Sequence, residues 1–340
     1  MRGFANRYQS NVIITGTMFV ALIFFSVTDV TSFFLSIANF DVKRALRSVP
    51  SGEQCSALAN LLPFLDVSEN ISNIFVDFKS QIPGMIEIAR ARQAKGDPPF
   101  YERYHPFNPQ VPCNNVTSIG GEAGEDTSKL VCGVSTLPED CVVYSIGGND
   151  QWQFELDLVS KTACTVHTFD CTGEKTRFHV PKDDRIKFHY ICIGESDEDA
   201  PEVCYGQSKC GPTMTMANIQ KHLGHTEPVD LLKMDIEGFE MPLLHSWKSG
   251  HSYPQQLLME LHYGTVYGEL MDDYHKEHGH VMGEHRFSEF AFEEDIIKLA
   301  DHLMDLGYLT SIRNDNMACE FCTEVTMIRF DPDCIDEKTE

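Results

Sequence analysis

Basic residues are scarce in this sequence. Its 340 residues include 27 lysines and arginines against 51 aspartates and glutamates, which gives a formal net charge of −24. No basic cluster interleaved with aromatic side chains offsets that charge, so the surface would repel a polyanion. We therefore predict no nucleic-acid partner, and solubility explains the acidic surface.

Internal repeats and paired metal-binding motifs are also lacking. Cys319-x-x-Cys322 has no second cysteine pair at zinc-ribbon spacing, so disulfides are the favoured use of these residues. The spacing of a histidine cluster matches no helical metalloprotease motif. We predict a solvated loop there, at the position of a substrate lid, and no metal site; the cluster contains His275, His278, His280 and His285.

The N-terminus is strongly apolar. Two uncharged runs, Val12–Val27 and Val30–Phe40, are separated by Asp29. The first run is slightly short for a span of roughly 20 residues, but the two together are long enough. Residues 1–40 are therefore predicted to be a tail and a signal anchor that crosses a membrane as a helix. A signal peptide cleaved near Ser36-Ile37-Ala38 and a buried core helix are the alternatives.

Two features predict that the rest of the chain lies outside the cytosol. Asn70-Ile71-Ser72 and Asn115-Val116-Thr117 are acceptor sequences for N-glycosylation. Twelve cysteines favour structural disulfides in an oxidising compartment. We expect a single-pass protein of the endomembrane system with a lumenal domain, or a secreted protein if the leader is cleaved.

The remaining chain divides into an extension and a globular domain. Residues 41–100 show no strong strand pattern and are predicted to be a stalk or N-terminal extension, with helical spacing between Ile74 and Met85. Residues 101–335 are predicted to be the globular domain. Within them, Gly120–Lys129 is rich in glycine and acidic residues and is predicted to be a loop.

Strand-like and helix-like segments alternate after residue 140. This alternation predicts a doubly wound, Rossmann-like α/β sheet closed by a C-terminal hairpin. The predicted strands are Cys141–Ile146, Cys164–Phe169, Phe188–Ile193, Val229–Met234, Gln256–Leu261, Tyr308–Arg313 and Glu324–Phe330. The predicted helices are Gln151–Ser160, Thr213–His222, Phe239–Trp247 and an amphipathic helix from Phe290 to Met304.

The loop after the first predicted strand has the features of a cofactor loop. Ligands of such sheets bind outside the carboxyl ends of the strands. Gly147 and Gly148 would let the backbone approach a cofactor, and Asp170 ends the next strand about twenty residues later, where it can accept hydrogen bonds from ribose hydroxyls. These residues indicate an adenosine-containing cofactor, either NAD or S-adenosylmethionine.

The fourth predicted strand carries the most specific motif. Asp230–Glu240 contains Lys-x-Asp-x-Glu-Gly-x-Glu and resembles the FkbM-type methyltransferases, in which this motif ends a strand beside the cofactor. Upstream, the chain is similar to secretory eukaryotic methyltransferase-like proteins, and the resemblance covers roughly residues 100–330. Its upstream residues are Tyr101, Tyr104, His105, Cys113, Gly120, Gly121, Val131, Cys132 and Cys141–Gly147.

The resemblance implies a class I methyltransferase that uses S-adenosylmethionine, with O-methylation of an unidentified glycan, protein or small-molecule acceptor. The implied cofactor-binding residues are Ser145, Gly147, Gly148, Asn149, Asp170 and Asp235. Bases that remove the acceptor's proton are sought at the neighbouring strand ends. The resemblance places Asp235 and Glu237 at the mouth of the fourth strand, as the first candidate catalytic residues. The strand ends add Glu260 and His262 as candidate bases, because His262 titrates near neutrality; a structural role for His262 is the alternative.

Two other functions fit parts of the sequence. Asp235-Ile236-Glu237 loosely imitates the Asp-x-Asp of a type II membrane glycosyltransferase, which would also have an anchor, a stalk and disulfides. A non-catalytic secreted domain is the second alternative, because Ser145, Gln151 and Trp152 depart from the common methyltransferase loop.

Overall fold

The computed structural model of the chain describes residues 54–67, 70–95, 101–125, 127–199, 210–248, 252–262, 293–316 and 322–330. The predicted membrane helix within residues 1–40, the histidine cluster and Cys319 lie outside these ranges. Within them, none of the helices has the length and apolar character needed to cross a bilayer.

Eleven strands and six α-helices are described. The strands are β1 Val116–Ile119, β2 Lys129–Cys132, β3 Val142–Ile146, β4 Thr165–Phe169, β5 Ile186–His189, β6 Cys192–Ile193, β7 Thr213–Met214, β8 Leu231–Met234, β9 Gln256–His262, β10 Tyr308–Asp315 and β11 Cys322–Arg329. The helices are α1 Gln54–Leu61, α2 Ile71–Lys95, α3 Gln153–Lys161, α4 Met216–Leu223, α5 Glu240–His245 and α6 Glu293–Asp305.

Seven strands form the central sheet in the order β5-β4-β3-β8-β9-β11-β10. Strands β5, β4, β3, β8 and β9 run parallel to one another, whereas β11 is antiparallel to both β9 and β10. This arrangement confirms the predicted Rossmann-like sheet, five parallel strands and terminal hairpin. The hairpin's second strand lies inside the sheet, and its first strand forms the edge.

Both faces of the sheet are covered, which explains its near-continuous apolar strands. Every residue of β8 and β9 is buried. One core cluster contains residues of α2, α5 and α6, and the other contains residues of α3 and the β1–β2 hairpin. Because side chains alternate along a strand, the charged residues Lys233 and Glu260 face the β1–β2 side.

Helix α2 packs against the domain. Asn70 immediately precedes the helix, and its Oδ1 accepts a hydrogen bond of 2.8 Å from the Ser72 backbone N–H. Phe78 and Ile82 are buried in the core cluster, and Arg90 forms an ion pair of 2.6 Å with Glu294 of α6. The helix within residues 41–100 is therefore in contact with the globular domain, and the bounds of the predicted stalk or N-terminal extension stay a prediction.

One local prediction was wrong, and two others differ from the structure at one end only. The predicted strand Phe188–Ile193 is divided, because the chain leaves the central sheet after β5 and Cys192 pairs with Thr213 of β7. The predicted helix from Thr213 begins at Met216, since the Thr215 hydroxyl caps it. The predicted loop Gly120–Lys129 ends in a strand, because Lys129 opens β2.

Disulfides connect the domain, as predicted. Three pairs lie within the described ranges given above, and Cys210 and Cys322 are disulfide-bonded as well. The three pairs are Cys113–Cys132, Cys141–Cys164 and Cys171–Cys192.

Candidate active site

The carboxyl ends of β3 and β8 flank the point where the strand order reverses, which is the usual ligand site of such sheets. The loops after these strands are in close contact. Gly147 has a φ of 77°, and a Cβ atom at this position would lie 1.7 Å from the Asp235 backbone oxygen. Only glycine therefore fits between the two loops.

Strained backbone is concentrated at this crevice. Among the described residues, the non-glycine residues with positive φ are Asn149, Asp150 and Glu237, and all follow β3 or β8. Such conformations are costly and are concentrated at functional sites. The loop after β3 is held by Asp150, which accepts hydrogen bonds from Trp152 Nε1 at 2.9 Å and His179 Nδ1 at 2.7 Å.

Asp170 connects the loop after β4 to the loop after β3. Its Oδ2 accepts a hydrogen bond of 2.8 Å from the Asn149 N–H, and its Oδ1 accepts two from Thr172. Arg177 donates to the Asn149 side chain at 2.9 Å and to Thr172 at 2.7 Å. The three hydrogen bonds that Asp170 accepts, one from Asn149 and two from Thr172, leave one acceptor position on its buried carboxylate.

Two other predicted cofactor residues have different surroundings. Gly148 lies in the loop, where an added Cβ would make only ordinary contacts. Ser145 lies inside β3, level with Thr168 and Lys233 of the flanking strands, and its side-chain oxygen is buried without a hydrogen-bond partner among the described residues. The structure therefore places Ser145 beneath the crevice and not at its rim.

The charged residues of the motif after β8 have distinct structural roles. Buried Lys233 donates to the backbone oxygens of Ile146 and Gly147 at 3.3 and 3.2 Å, which holds the end of β3. Buried Glu240 accepts hydrogen bonds of 2.8 Å from the N–H groups of Ile236 and Gly238. These contacts fix the turn that presents the Asp235 and Glu237 side chains.

Lys129 is a central residue that the sequence analysis did not identify. Its side chain is 1% exposed, and Nζ lies 2.6 Å from Glu324, 3.4 Å from Asp235 and 3.7 Å from Glu260. The carboxylates outweigh the effect of burial, which would lower the Lys129 pKa, and raise that pKa above its usual value. The only sequence signal was a charge at the start of the short apolar segment Lys129–Cys132.

The three carboxyl groups around this ammonium differ in proton affinity. Burial would raise the Asp235 pKa, but the cations Lys233, Lys129 and His262 lower it, so Asp235 is ionised. Burial raises the Glu260 pKa, and burial raises the Glu324 pKa to about 8. Glu324 was also missed, because it reads as a polar position of an ordinary hairpin strand.

His262 is unsuited to the base role considered from sequence. Its Nδ1 lies 3.2 Å from Glu240 Oε1, and its Nε2 lies 3.5 Å from Glu237 Oε2. Burial would lower its pKa, but Glu240, Glu260 and Glu237 raise it to about 10. A protonated imidazole has no free lone pair, so His262 holds its carboxylate neighbours in place.

Two groups of side chains are close enough to share a metal ion, and both are otherwise engaged. The first contains Glu260, His262 and Cys322, but the Cys322 sulfur is in a disulfide. The second contains Asp235, Glu240 and His262, but both Glu240 oxygens accept backbone hydrogen bonds. Lys129 and protonated His262 supply the positive charge at this place.

The sheet and its loops define a Rossmann-like α/β domain with a ligand crevice at the strand-order reversal. A family model described as a methyltransferase domain matches residues 83–322. The chain belongs to this methyltransferase domain family, and its fold is a Rossmann-like methyltransferase fold. The family match supports a methyltransferase over the glycosyltransferase alternative.

Solved structures that the chain matches over part of its length include two named proteins. The fibrillarin pre-rRNA processing protein of Methanococcus jannaschii is 12% identical, with 59% of this chain and 70% of that chain covered and a TM-score of 0.30. A geranyl diphosphate methyltransferase in complex with SAM is 7% identical, with 57% and 80% covered and a TM-score of 0.31. A search of curated proteins finds no match.

Proposed function

We propose that this protein transfers a methyl group from S-adenosylmethionine to an oxygen of an acceptor molecule. The observation that carries the proposal is the meeting of three loops at the strand-order reversal. The loops after β3, β4 and β8 are connected there by the Asn149–Asp170 hydrogen bond and by the approach of Gly147 to Asp235.

The residues at the crevice fit the cofactor. The remaining acceptor position of Asp170 suits one ribose hydroxyl, and the ionised Asp235 carboxylate suits a nearby positive charge. When bound, S-adenosylmethionine supplies an electrophilic methyl group on a positively charged sulfur. Gly147, Gly148 and Asn149 would hold its methionine and ribose parts.

The protein's main contribution is to position the acceptor and remove its proton. Glu237 is 42% exposed at the rim, whereas His262 beneath it is 4% exposed, so the glutamate is accessible to the acceptor and would help to position it. His262 orients this carboxylate from below. Lys233 and Glu240 fix the backbone on either side of Asp235. His262, Lys233 and Glu240 therefore act as positioning residues.

We further propose that the reaction takes place in the secretory pathway, in a lumenal domain anchored by residues 1–40. Disulfides are compatible with this location. Asn70 is exposed at the start of α2, where its Oδ1 caps the helix and its amide nitrogen is the atom that a glycan would modify. Loss of mass on glycosidase treatment of the protein from secretory cells would support this location.

Calorimetry tests the proposed function directly. The folded protein should bind S-adenosylmethionine and S-adenosylhomocysteine, and should not bind a UDP-sugar in the presence of Mn²⁺. Binding of the UDP-sugar alone would support the glycosyltransferase. Failure of all three to bind to a protein with a normal unfolding transition would support the non-catalytic domain.

A further inference from the structure

The Lys129 cluster lies directly beside the proposed methyl-transfer site and has an excess of carboxyl groups. Glu260 and Glu324 are opposite each other in the β9–β11 ladder, so their side chains are on the same face of the sheet. The Lys129 ammonium approaches both of them and Asp235. One cation in contact with one buried and two half-buried carboxyl groups cannot neutralise all of them.

The wider surroundings do not remove the excess. Among the described residues, the cations facing the cluster are Lys129 from β2, Lys233 from β8 and His262 from β9, and the facing carboxyl groups are Asp235, Glu237, Glu240, Glu260 and Glu324. Even with Glu237 left out of the count, the four other carboxyl groups exceed the three cations by one negative charge. Asn316 donates a hydrogen bond of 3.0 Å to Glu260, but it adds no charge.

Buried carboxyl groups without a compensating cation bind protons. Two members of the cluster have other close cationic partners: Lys233, Lys129 and His262 lower the Asp235 pKa, and Glu240 lies 3.2 Å from His262. Glu260 and Glu324 face each other and share Lys129 with Asp235, so the shortage of cations falls on this pair, whose pKa values are raised. A further cation near Asp235 would lower the pKa values of both Glu260 and Glu324.

We propose that the Glu260–Glu324 pair stores a proton in the cofactor-free protein and loses it when the positively charged methyl donor binds. The pair then becomes the base of the reaction only when the donor is in place. This inference rests on the proposed methyltransferase function. Glu324 is 17% exposed, whereas Glu260 is 5% exposed, so Glu324 is the more accessible member of the pair.

The reaction balances with these groups. A lone pair of the acceptor oxygen forms the new bond to the methyl carbon, and the sulfur–methyl bond breaks with its electrons remaining on sulfur. The proton of the acceptor hydroxyl moves to the Glu324 carboxylate. Product release removes the neutral thioether, and the protonated pair returns to its starting state.

Proton release on binding tests the inference without an acceptor. Calorimetry in two buffers of different ionisation enthalpy measures the number of protons released by each ligand. At pH values near 7, S-adenosylmethionine should release more protons than the uncharged-sulfur product S-adenosylhomocysteine, by up to about one proton per site. Equal proton release by two ligands that both bind would overturn the inference and leave the proposed function standing.

Substitutions test whether the proton released on ligand binding comes from the Glu260–Glu324 pair. Glu260→Gln/Glu324→Gln should abolish the difference between the two ligands, and Glu324→Gln alone should reduce it at least twofold. Glu227→Gln, at an exposed position, should preserve it. A difference that survives the double substitution in a protein that still binds both ligands would contradict the assignment. If the double variant fails to fold, the single variant and the wild-type comparison decide.

Discussion

The two halves of the central sheet carry histidines, one buried and one half-buried, whose pKa values shift in opposite directions. In the β8–β9–β11 half, burial would lower the His262 pKa, but three glutamates raise it to about 10. In the β3–β4–β5 half, burial lowers the His167 pKa to about 4, and His225 and His189 add to the effect. In both halves burial disfavours the charged ring, and the charge of the neighbours decides whether that effect is overcome.

The hydrogen bonds of the second half agree with neutral rings. His167 Nδ1 lies 2.9 Å from His189 Nε2, and the Tyr144 hydroxyl lies 2.6 Å from His225 Nδ1. A hydrogen bond between two imidazoles needs one N–H and one bare nitrogen, so full protonation of both rings would break it. The half beneath the proposed cofactor site is therefore neutral, whereas the acceptor side is ionic.

Removal of the cation from the ionic half should have the largest effect. Lys129→Met leaves three carboxyl groups without their shared partner and should lower the free energy of unfolding by about 3–5 kcal/mol. Urea unfolding at neutral pH measures this change. Lys221→Met, at an exposed position, should cost less than about 0.5 kcal/mol. Equal effects of the two substitutions would contradict the role of Lys129.

Substitution at the cofactor side should affect binding more than stability. Asp170→Ala removes the ribose acceptor and should weaken binding of S-adenosylmethionine by on the order of 1–3 kcal/mol. Calorimetry provides the measurement, with exposed Asp184→Ala as the control. Unchanged affinity in a folded Asp170 variant would rule out this residue as a ribose ligand.

The two histidines should give opposite pH dependences of stability. His167 has a lowered pKa in the folded state, so its contribution is lost as pH falls from about 6.5 toward 4. His262 has a raised pKa, so its contribution is complete below about 6.5 and is lost as pH rises toward 10. Each effect should be on the order of 1–3 kcal/mol.

Urea unfolding across this pH range, with His167→Gln and His262→Gln, separates the two contributions. The His167 variant should lose sensitivity to acid, and the His262 variant should lose sensitivity to alkali. If both variants changed the stability on the same side of the pH range, acid or alkaline, the contrast between the two halves would be wrong.

The smallest expected effect concerns Arg177, which connects the loops around Asp170. Arg177→Ala removes hydrogen bonds to Asn149 and Thr172 and should weaken cofactor binding by about 1 kcal/mol through loss of loop order. Lys175→Ala changes an exposed residue of the same turn and should have no effect. Tighter binding by the Arg177 variant would show that this side chain obstructs the site.

The sequence predicted the sheet well because its information is local. Buried parallel strands are short apolar runs, and the Gly147 loop and Asp170 follow neighbouring strands whose carboxyl ends must share an edge. The predicted strand through Phe188–Ile193 was wrong because pairing of Cys192 with β7 is a tertiary contact. The roles of the cofactor residues remain predictions.

The ionic cluster could not be predicted in the same way. Lys129 meets Asp235 and Glu324 across 106 and 195 residues of chain, and nothing local relates them. The His262 role also depended on neighbours, because an isolated imidazole titrates near neutrality but one among glutamates does not.

The three disulfides have a consequence for biogenesis. Their cysteine pairs follow one another along the chain without overlapping, and they close loops with sequence separations of 19, 23 and 21 residues. A chain that enters an oxidising compartment with its N-terminus first can complete each bridge before the next pair emerges. Each of these three disulfides can therefore form during translocation, before the cysteines of the next of these pairs enter the compartment.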